Sequence, residues 1–248
     1  MQYHWFAYSM PLRLGEEPNI SKIRDGAAFS EVTVPLAKLG YEYGHFIFNP
    51  PFNPRKSVEV GKEHFHFIRP DDLIVLATRP PLDDPKHGDR KLVRQSRTHL
   101  EKQIFAEFRK YLAVCARSHV RLTEAVGAKF KQADLVFHQH KSARLKYYMR
   151  LDEFRPKLVP KNSDIAIGFF LRTKTIPEYG CSLLASFGMG GRETLIWNHI
   201  VRTRFPELVS RCAFIVAEMN LARIPDTPVT LDFADEVKAK ILLEHPAI

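Results

Sequence analysis

The sequence has few cysteines and no long apolar run, and both scarcities narrow the class of protein. Cys115, Cys181 and Cys212 are the only cysteines among 248 residues, and they show no paired spacing. This predicts neither a disulfide framework nor a cysteine-based zinc site, and it favours a cytoplasmic protein with reduced thiols. The chain lacks a run of about 18 apolar residues, so we expect no membrane span. Residues 1–14 lack the basic-then-apolar order of a secretory signal peptide.

Acidic residues are scarce in one quarter of the chain, where all of the net positive charge lies. The whole chain carries +9, and residues 86–150 contain 16 Lys and Arg against 5 Asp and Glu. A localised basic excess indicates an anionic partner, and nucleic acid is the first candidate. The predicted nucleic-acid contacts are Arg97, Lys102, Arg109, Lys110, Lys141, Arg144, Lys146, Tyr147 and Tyr148. The alternative is a solvated helical face whose charges pair with the acidic remainder of the protein.

Short apolar segments bounded by prolines indicate a strand-rich first third. Strands are predicted at Tyr3 to Ala7, Phe29 to Leu36, Tyr41 to Phe48 and Leu73 to Ala77. An apolar stripe from Leu100 to Cys115 at i, i+4 spacing predicts a long helix within the basic segment. A second helical stretch is predicted at 121–131.

In the last third of the chain, strand-like and helix-like segments alternate, as they do in an α/β unit. Ile165 to Leu171, Cys181 to Phe187 and Ala213 to Ala217 read as strands, whereas Arg192 to Arg204 and Asp235 to Glu244 read as helices. We therefore expect an α/β or α+β fold in a single domain, with a mixed sheet and a basic, largely helical insertion. The β-rich part would cover 1–85, the insertion 86–160 and the α/β unit 161–248.

A glycine-rich turn follows one of these predicted strands and precedes a predicted helix. Phe187, Gly188, Gly190 and Gly191 would let the backbone approach a nucleotide-like cofactor at a helix start. Glu218, at the end of the next strand, would accept hydrogen bonds from ribose hydroxyls. The pattern is not a full G-x-G-x-x-G and is not a P-loop. A strand-to-helix turn that binds nothing is the alternative interpretation.

An apolar strand ending in Asn49-Pro50-Pro51-Phe52 resembles the catalytic motif of amino-group methyltransferases, which modify adenine N6, cytosine N4 or a glutamine amide. The resemblance implies that Asn49 and Pro50 hold the target amine and that Phe52 stacks on a flipped base. It also implies that Gly188, Gly190 and Glu218 hold S-adenosylmethionine. Ala185-Ser186 stands where the family has Asp-Pro. A rigid connection after a strand is the alternative for the proline motif.

Two further patterns suggest metal chemistry. Pro70-Asp71 upstream of Asp84 and Lys86 loosely matches a metal-dependent nuclease site, with a solvated turn as the alternative. The pairs His64/His66 and His138/His140 have no third ligand at an obvious spacing, so we expect no bound metal.

The leading hypothesis is thus a nucleic-acid-associated enzyme with a nucleotide-like cofactor at the glycine turn. In its most specific version, the enzyme catalyses S-adenosylmethionine-dependent methyl transfer. The alternatives are a non-catalytic DNA- or RNA-binding protein that uses residues 86–150, and a metal-dependent nuclease.

Overall fold

A computed structural model gives the structure of the chain. It describes residues 1–7, 20–48, 68–78, 106–107, 110, 134–138, 145–150, 155–158, 165–176, 180–188, 190–222, 224, 231 and 233–246. The strands are β1 (Gln2–Ala7), β2 (Glu42–Phe48), β3 (Leu73–Leu76), β4 (Asp134–His138), β5 (Leu145–Arg150), β6 (Arg155–Leu158), β7 (Ile165–Arg172), β8 (Ser182–Gly188), β9 (Ala213–Asn220) and β10 (Lys238–Pro246). The helices are α1 (Ile20–Lys38) and α2 (Gly191–Arg204), with short 3₁₀ helices at Pro206–Val209 and Ala234–Glu236.

Strands from both ends of the chain form one seven-stranded mixed sheet, which confirms the predicted fold class. The strand order is β10-β9-β7-β8-β3-β1-β2. The pairs of β1 with β2, β1 with β3 and β3 with β8 are parallel. Strand β7 runs antiparallel to both of its neighbours, and β10 runs antiparallel to β9.

Both faces of the large sheet are buried, which explains why its strands read as nearly continuous apolar runs. One face packs against α1 and α2 and carries Trp5, Val75, Phe170, Leu184 and Ile215. The alternate positions on the opposite face carry Phe6, Leu76, Phe169, Phe187 and Phe214, all inaccessible or nearly so.

Two glycines let α2 approach the sheet closely. Gly168 and Gly188 lie opposite each other on β7 and β8. A Cβ atom at Gly168 would come within 2.4 Å of the Trp197 ring. Trp197 is fully buried, and its Nε1 donates a hydrogen bond of 2.8 Å to the carbonyl oxygen of Phe169. A large aromatic ring thus fills the space that the glycines leave.

The prediction of a strand at Phe29 to Leu36 is wrong, because this segment lies inside α1. Phe29, Val32 and Leu36 are buried at i, i+3 and i+7, whereas Val34 is 43% exposed. This is the periodicity of a helix that packs one face on a sheet. Pro35 lies within the last turn of α1, and Gly40 (φ 82°) follows the helix as a C-terminal turn residue.

The helix predicted at Asp235 to Glu244 is also wrong. Residues Ala234–Glu236 form a 3₁₀ turn, and β10 then pairs with β9 along its whole length. Val237, Ala239 and Ile241 are buried or half-buried, whereas Lys238 and Lys240 are exposed. This alternation has the period of two that a strand requires.

The basic segment contributes a separate three-stranded antiparallel sheet with the order β4-β5-β6. These strands were not predicted. Of the predicted long helix, the structure describes Ala106, Glu107 and Lys110, all helical; the helical stretch at 121–131 lies outside the described residues. Among the residues that the structure describes, no helix is long and apolar enough to cross a membrane.

Candidate cofactor site

The carboxyl ends of four neighbouring parallel strands, β2, β1, β3 and β8, meet at one edge of the large sheet. Both sequence motifs leave the sheet here, since β2 ends at Phe48, directly before Asn49, and β8 ends at Gly188. Asn49, Pro50 and Phe52 themselves lie outside the described residues. Three strand spacings separate β2 from β8, or about 14 Å.

This edge contains the point at which the strand order reverses. From β1 the chain passes through α1 to β2 on one side of β1, whereas β3 lies on the other side. Doubly wound sheets bind ligands in the crevice that opens at such a switch point, outside the carboxyl ends of the strands. The expected crevice therefore lies between β1 and β3, midway between the two motifs.

One buried polar group without a partner lies at this edge, beside the switch point. Within the described part of the chain, Thr78 Oγ1, two residues beyond β3, has no hydrogen-bond partner, and Thr78 is only 6% exposed. Buried donors are almost always satisfied in folded proteins, so this hydroxyl points to a missing polar ligand. Trp5 Nε1 and two guanidinium nitrogens of Arg172 also lack a partner, but the Trp5 ring is stacked on Phe29 of α1 at 4.1 Å and Arg172 lies at the opposite edge of the sheet. The sequence carries no signal for Thr78, because it looks like an ordinary strand residue.

The glycine turn divides into a structural part and an open part. Gly188 N donates a 2.9 Å hydrogen bond to Thr194 Oγ1, which itself donates to the Gly190 carbonyl at 2.7 Å. A Cβ atom at Gly188 would lie 2.6 Å from the backbone carbonyl carbon of Glu193. Gly188 is therefore required for packing of α2 on β8, and Phe187 is buried in the sheet face opposite α2.

Gly190 and Gly191 form the open part of the turn. Gly190 precedes α2 with an extended backbone, and no side chain caps the helix. The nearest atom to a Cβ at Gly190 would be Glu193 Oε2, and to one at Gly191 would be Arg24 Cδ at 3.6 Å. The first backbone N–H groups of a helix have no intrahelical acceptor, so this uncapped start can receive an acceptor from a ligand.

Glu218 lies at the same edge as the glycine turn but not beside it. Strand β7 separates β8 from β9, which puts the two about 10 Å apart. Glu218 pairs with Ile167, whereas Gly168 faces α2, so Glu218 lies on the sheet face opposite α2. The acid nearest to the turn is Glu193, in the first turn of α2, which the sequence reasoning missed. A capping-type acid three residues after Gly190 was the available signal.

A cavity of about 440 Å³ opens beyond the end of β9. Asn220, Ala222, Ile224, Glu236 and Lys238 line it. Arg192, in the first turn of α2, donates from Nη1 to the carbonyl oxygen of Ile224 at 3.5 Å. The cavity therefore adjoins the start of α2, and its lining supplies an amide, a carboxylate and an ammonium group.

A buried His–Asp pair lies at the opposite, amino edge of the sheet. His4 Nδ1 accepts from His45 N at 3.1 Å, so Nε2 carries the proton and donates to Asp72 Oδ2 at 3.1 Å. Asp72 also accepts from the backbone N–H groups of Gln2 and Arg69. Burial alone would raise the pKa of Asp72, but these hydrogen bonds outweigh it and hold the pKa below its ordinary value. The pair ties β1, β2 and β3 together.

The Cys181 thiol near this pair is not an available nucleophile. Cys181 is inaccessible, and burial, with a smaller contribution from the Asp72 carboxylate, raises the pKa of its thiol to about 12. A thiol with so high a pKa is inert at neutral pH. Asp71, proposed for a nuclease site, is an exposed turn residue at this amino edge, and Asp84 and Lys86 lie outside the described residues. The described residues contain no group of three metal-binding side chains.

A second histidine is fully engaged between the helices. His199 Nδ1 lies 3.0 Å from Glu31 Oε2, and its Nε2 lies 3.1 Å from Asp235 Oδ1. Arg202 Nε donates to the same Glu31 oxygen at 2.6 Å. Because both ring nitrogens are used, the network joins α1 to α2 and leaves no free nitrogen for acid–base chemistry.

The predicted nucleic-acid contacts divide into two groups. Lys110 is helical, and Lys146, Tyr147 and Tyr148 lie on β5. Arg97, Lys102, Arg109, Lys141 and Arg144 lie outside the described residues. Of the His-x-His residues, His138 is the last residue of β4, and His64, His66 and His140 are not described.

Comparison with known proteins finds no relative. No model of a protein family matches the chain, and searches of curated proteins and of solved structures give no match. The functional argument therefore depends on the site alone.

Proposed function

We propose that the protein is a nucleic-acid-modifying enzyme that binds an adenosine-containing cofactor at the carboxyl edge of the large sheet. The observation that carries the proposal is the buried Thr78 hydroxyl without a partner, beside the β1/β3 switch point. It lies between the strand end that leads to Asn49 and the open helix start at Gly190 and Gly191. A cofactor lying along this edge would satisfy it.

The groups near the glycine turn suit S-adenosylmethionine, the cofactor that the motif resemblance implies. Glu193 lies close to Gly190 and is ion-paired with Arg192, and Arg24 lies beside Gly191. Glu236 and Lys238 line the neighbouring cavity. Carboxylates accept hydrogen bonds from ribose hydroxyls and from an ammonium group. S-adenosylmethionine offers those donors, and its own carboxylate suits the uncapped N–H groups of α2.

Methyl transfer to an amino group is the reaction that this arrangement suits. The cofactor supplies an electrophilic methyl group. The amine nitrogen forms a bond to the methyl carbon, the electrons of the carbon–sulfur bond stay on sulfur, and the amine loses a proton. By the motif resemblance, Asn49 and Pro50 accept hydrogen bonds from the amine and Phe52 stacks on the base. Glu218 remains the proposed acceptor for a ribose hydroxyl.

Cofactor binding is tested by the thermal stability of the purified protein with added ligands. At one hundred times its Kd, S-adenosylhomocysteine should raise the melting temperature by about 5 °C, because it binds only the folded state. ATP and NAD should produce no comparable shift.

Gly190→Asp should keep the fold, since the backbone there is extended and only the end of Glu193 is near, but should abolish the shift. Ser30→Asp adds the same charge on α1 and serves as the control. No shift with either adenosyl-sulfur compound would remove this proposal.

Thr78→Val tests the switch point separately. The substitution removes a buried hydroxyl that has no partner, so the stability of the ligand-free protein should be unchanged or slightly higher. Affinity for S-adenosylhomocysteine, measured by calorimetry, should fall about 10-fold if the hydroxyl binds the cofactor. Unchanged affinity would place the cofactor away from β3.

A non-catalytic nucleic-acid-binding protein is the second candidate. The observation that favours it is the basic composition of the small sheet β4-β5-β6, of which β4 and β5 lie within the segment that carries the positive charge and β6 follows directly after it. It predicts oligonucleotide binding that falls steeply with salt, without turnover and without dependence on a cofactor.

A further inference from the structure

The register of the small sheet separates basic from apolar residues. Tyr148 pairs with Val136 and Lys157, and Arg150 pairs with Asp134 and Arg155. Paired residues share a face, and so do alternate residues along a regular strand. One face therefore holds positions Tyr148, Arg150, Arg155 and Lys157, with Val136 and Asp134. The other face holds positions Leu135, Phe137, Tyr147, Met149, Pro156 and Leu158. The register shifts between Phe137 and His138, so this alternation does not extend to Leu145 and Lys146.

The two faces of the small sheet therefore differ in character, one being basic and the other apolar. An antiparallel sheet with one apolar and one polar face typically packs on its apolar face and presents the other to solvent. The polar face carries three cationic positions, Arg150, Arg155 and Lys157, and a single acidic one, Asp134. Like charges so concentrated are best tolerated where an anion neutralises them.

We propose that the face defined by Tyr148, Arg150, Arg155 and Lys157 binds single-stranded nucleic acid. The three cationic residues neutralise phosphates, and Tyr148 stacks on a base. An aromatic ring on a sheet surface selects single strands, because the bases of a duplex already stack on each other and offer no free face. Tyr147, on the apolar face, has no part in this contact. The inference extends the proposed function by giving the face that holds the substrate.

The test measures binding of the full chain to a fluorescein-labelled 20-nucleotide single strand by anisotropy, over a range of KCl concentrations and without cofactor. Three phosphate contacts predict a slope of log K against log salt of about −2. Arg150→Glu with Lys157→Glu should weaken binding at least about 10-fold at low salt and flatten this slope. Lys38→Glu with Lys240→Glu makes the same charge change at exposed positions of α1 and β10 and should alter affinity far less.

The two tyrosines provide a control within one strand. Tyr148→Ala should weaken binding about 10-fold with little change in the salt slope, since it removes stacking and no charge. Tyr147→Ala should retain the affinity of the folded protein, with folding checked by circular dichroism. Equal losses from both charge-reversed proteins, equal losses from both tyrosine variants, or tighter binding to the matching duplex would each overturn the inference. Because the binding assay contains no cofactor, its outcome does not depend on the proposed methyl transfer. Oligonucleotide binding together with no thermal shift from either adenosyl-sulfur compound would remove the proposed enzyme activity and leave this surface in place.

Discussion

Replacing Trp197 with alanine is expected to lower the free energy of unfolding by about 3–5 kcal/mol. The indole is fully buried between α2 and the sheet and lies directly over Gly168. Its removal leaves a cavity that the sheet cannot close, because β7 is held on both sides by β8 and β9. It also leaves the Phe169 carbonyl without the hydrogen bond from Nε1.

Urea unfolding followed by circular dichroism measures this loss, and Trp197→Phe is the matched comparison. Phenylalanine refills part of the space but cannot donate to the Phe169 carbonyl, so we expect it to cost about 1–3 kcal/mol. A loss below about 1 kcal/mol for the alanine variant would show that the helix-to-sheet packing described here does not hold in solution.

Much of the large sheet could be predicted because burial on both faces leaves a clear trace in the sequence. The strands β1, β2, β3, β7, β8 and β9 were all found as short apolar runs, and α2 was found between two of them. The same reasoning failed for α1. There Glu31 and Thr33 alternate with Val32 and Val34, as polar and apolar residues do in a strand. Only the packing against α2 shows that this segment is helical. β10 was missed because its charged residues suit a helix surface equally well.

Strand order and the strands of the small sheet were beyond local reasoning, since both depend on pairing between distant segments. Pairing of β5 with β4 and β6 alternates basic and apolar positions that, read along the chain, form only a mixed charged segment. The different roles of the glycines in the glycine turn were also beyond local reasoning. Sequence alone cannot distinguish Gly188, which makes room for the backbone of Glu193, from Gly190, which leaves a helix start uncapped.

The candidate site was predicted in part for a related reason. The glycine turn and the Asn49 motif are local patterns, and the strands that lead to them do end at one edge. Thr78 enters the site only through the position of β3 in the strand order. A residue whose role arises from topology has no signature in its own neighbourhood, which is why Thr78 was not singled out.

Removing the Asp72 carboxylate is expected to be as damaging as the loss of Trp197. Asp72→Ala leaves His4 Nε2 and the backbone N–H groups of Gln2 and Arg69 buried or part-buried without their acceptor. Breaking a buried, hydrogen-bonded pair in this way costs about 3–5 kcal/mol. Asp71→Ala changes the preceding residue, which is exposed, and should alter stability by no more than about 0.5 kcal/mol.

The pH dependence of this loss identifies its electrostatic part. Hydrogen bonds hold the folded-state pKa of Asp72 below its ordinary value of 3.8, so the ionised carboxylate stabilises the folded state at pH values above 3.8. That stabilisation is lost as the pH falls through the lowered pKa of the folded state. The difference in unfolding free energy between the wild-type protein and Asp72→Ala should therefore be constant from neutral pH down to about pH 5 and shrink in more acidic solution. A difference that stayed constant to the lowest pH at which the protein folds would mean that Asp72 contributes through packing alone, and that the charge on its carboxylate does not hold β1 to β3.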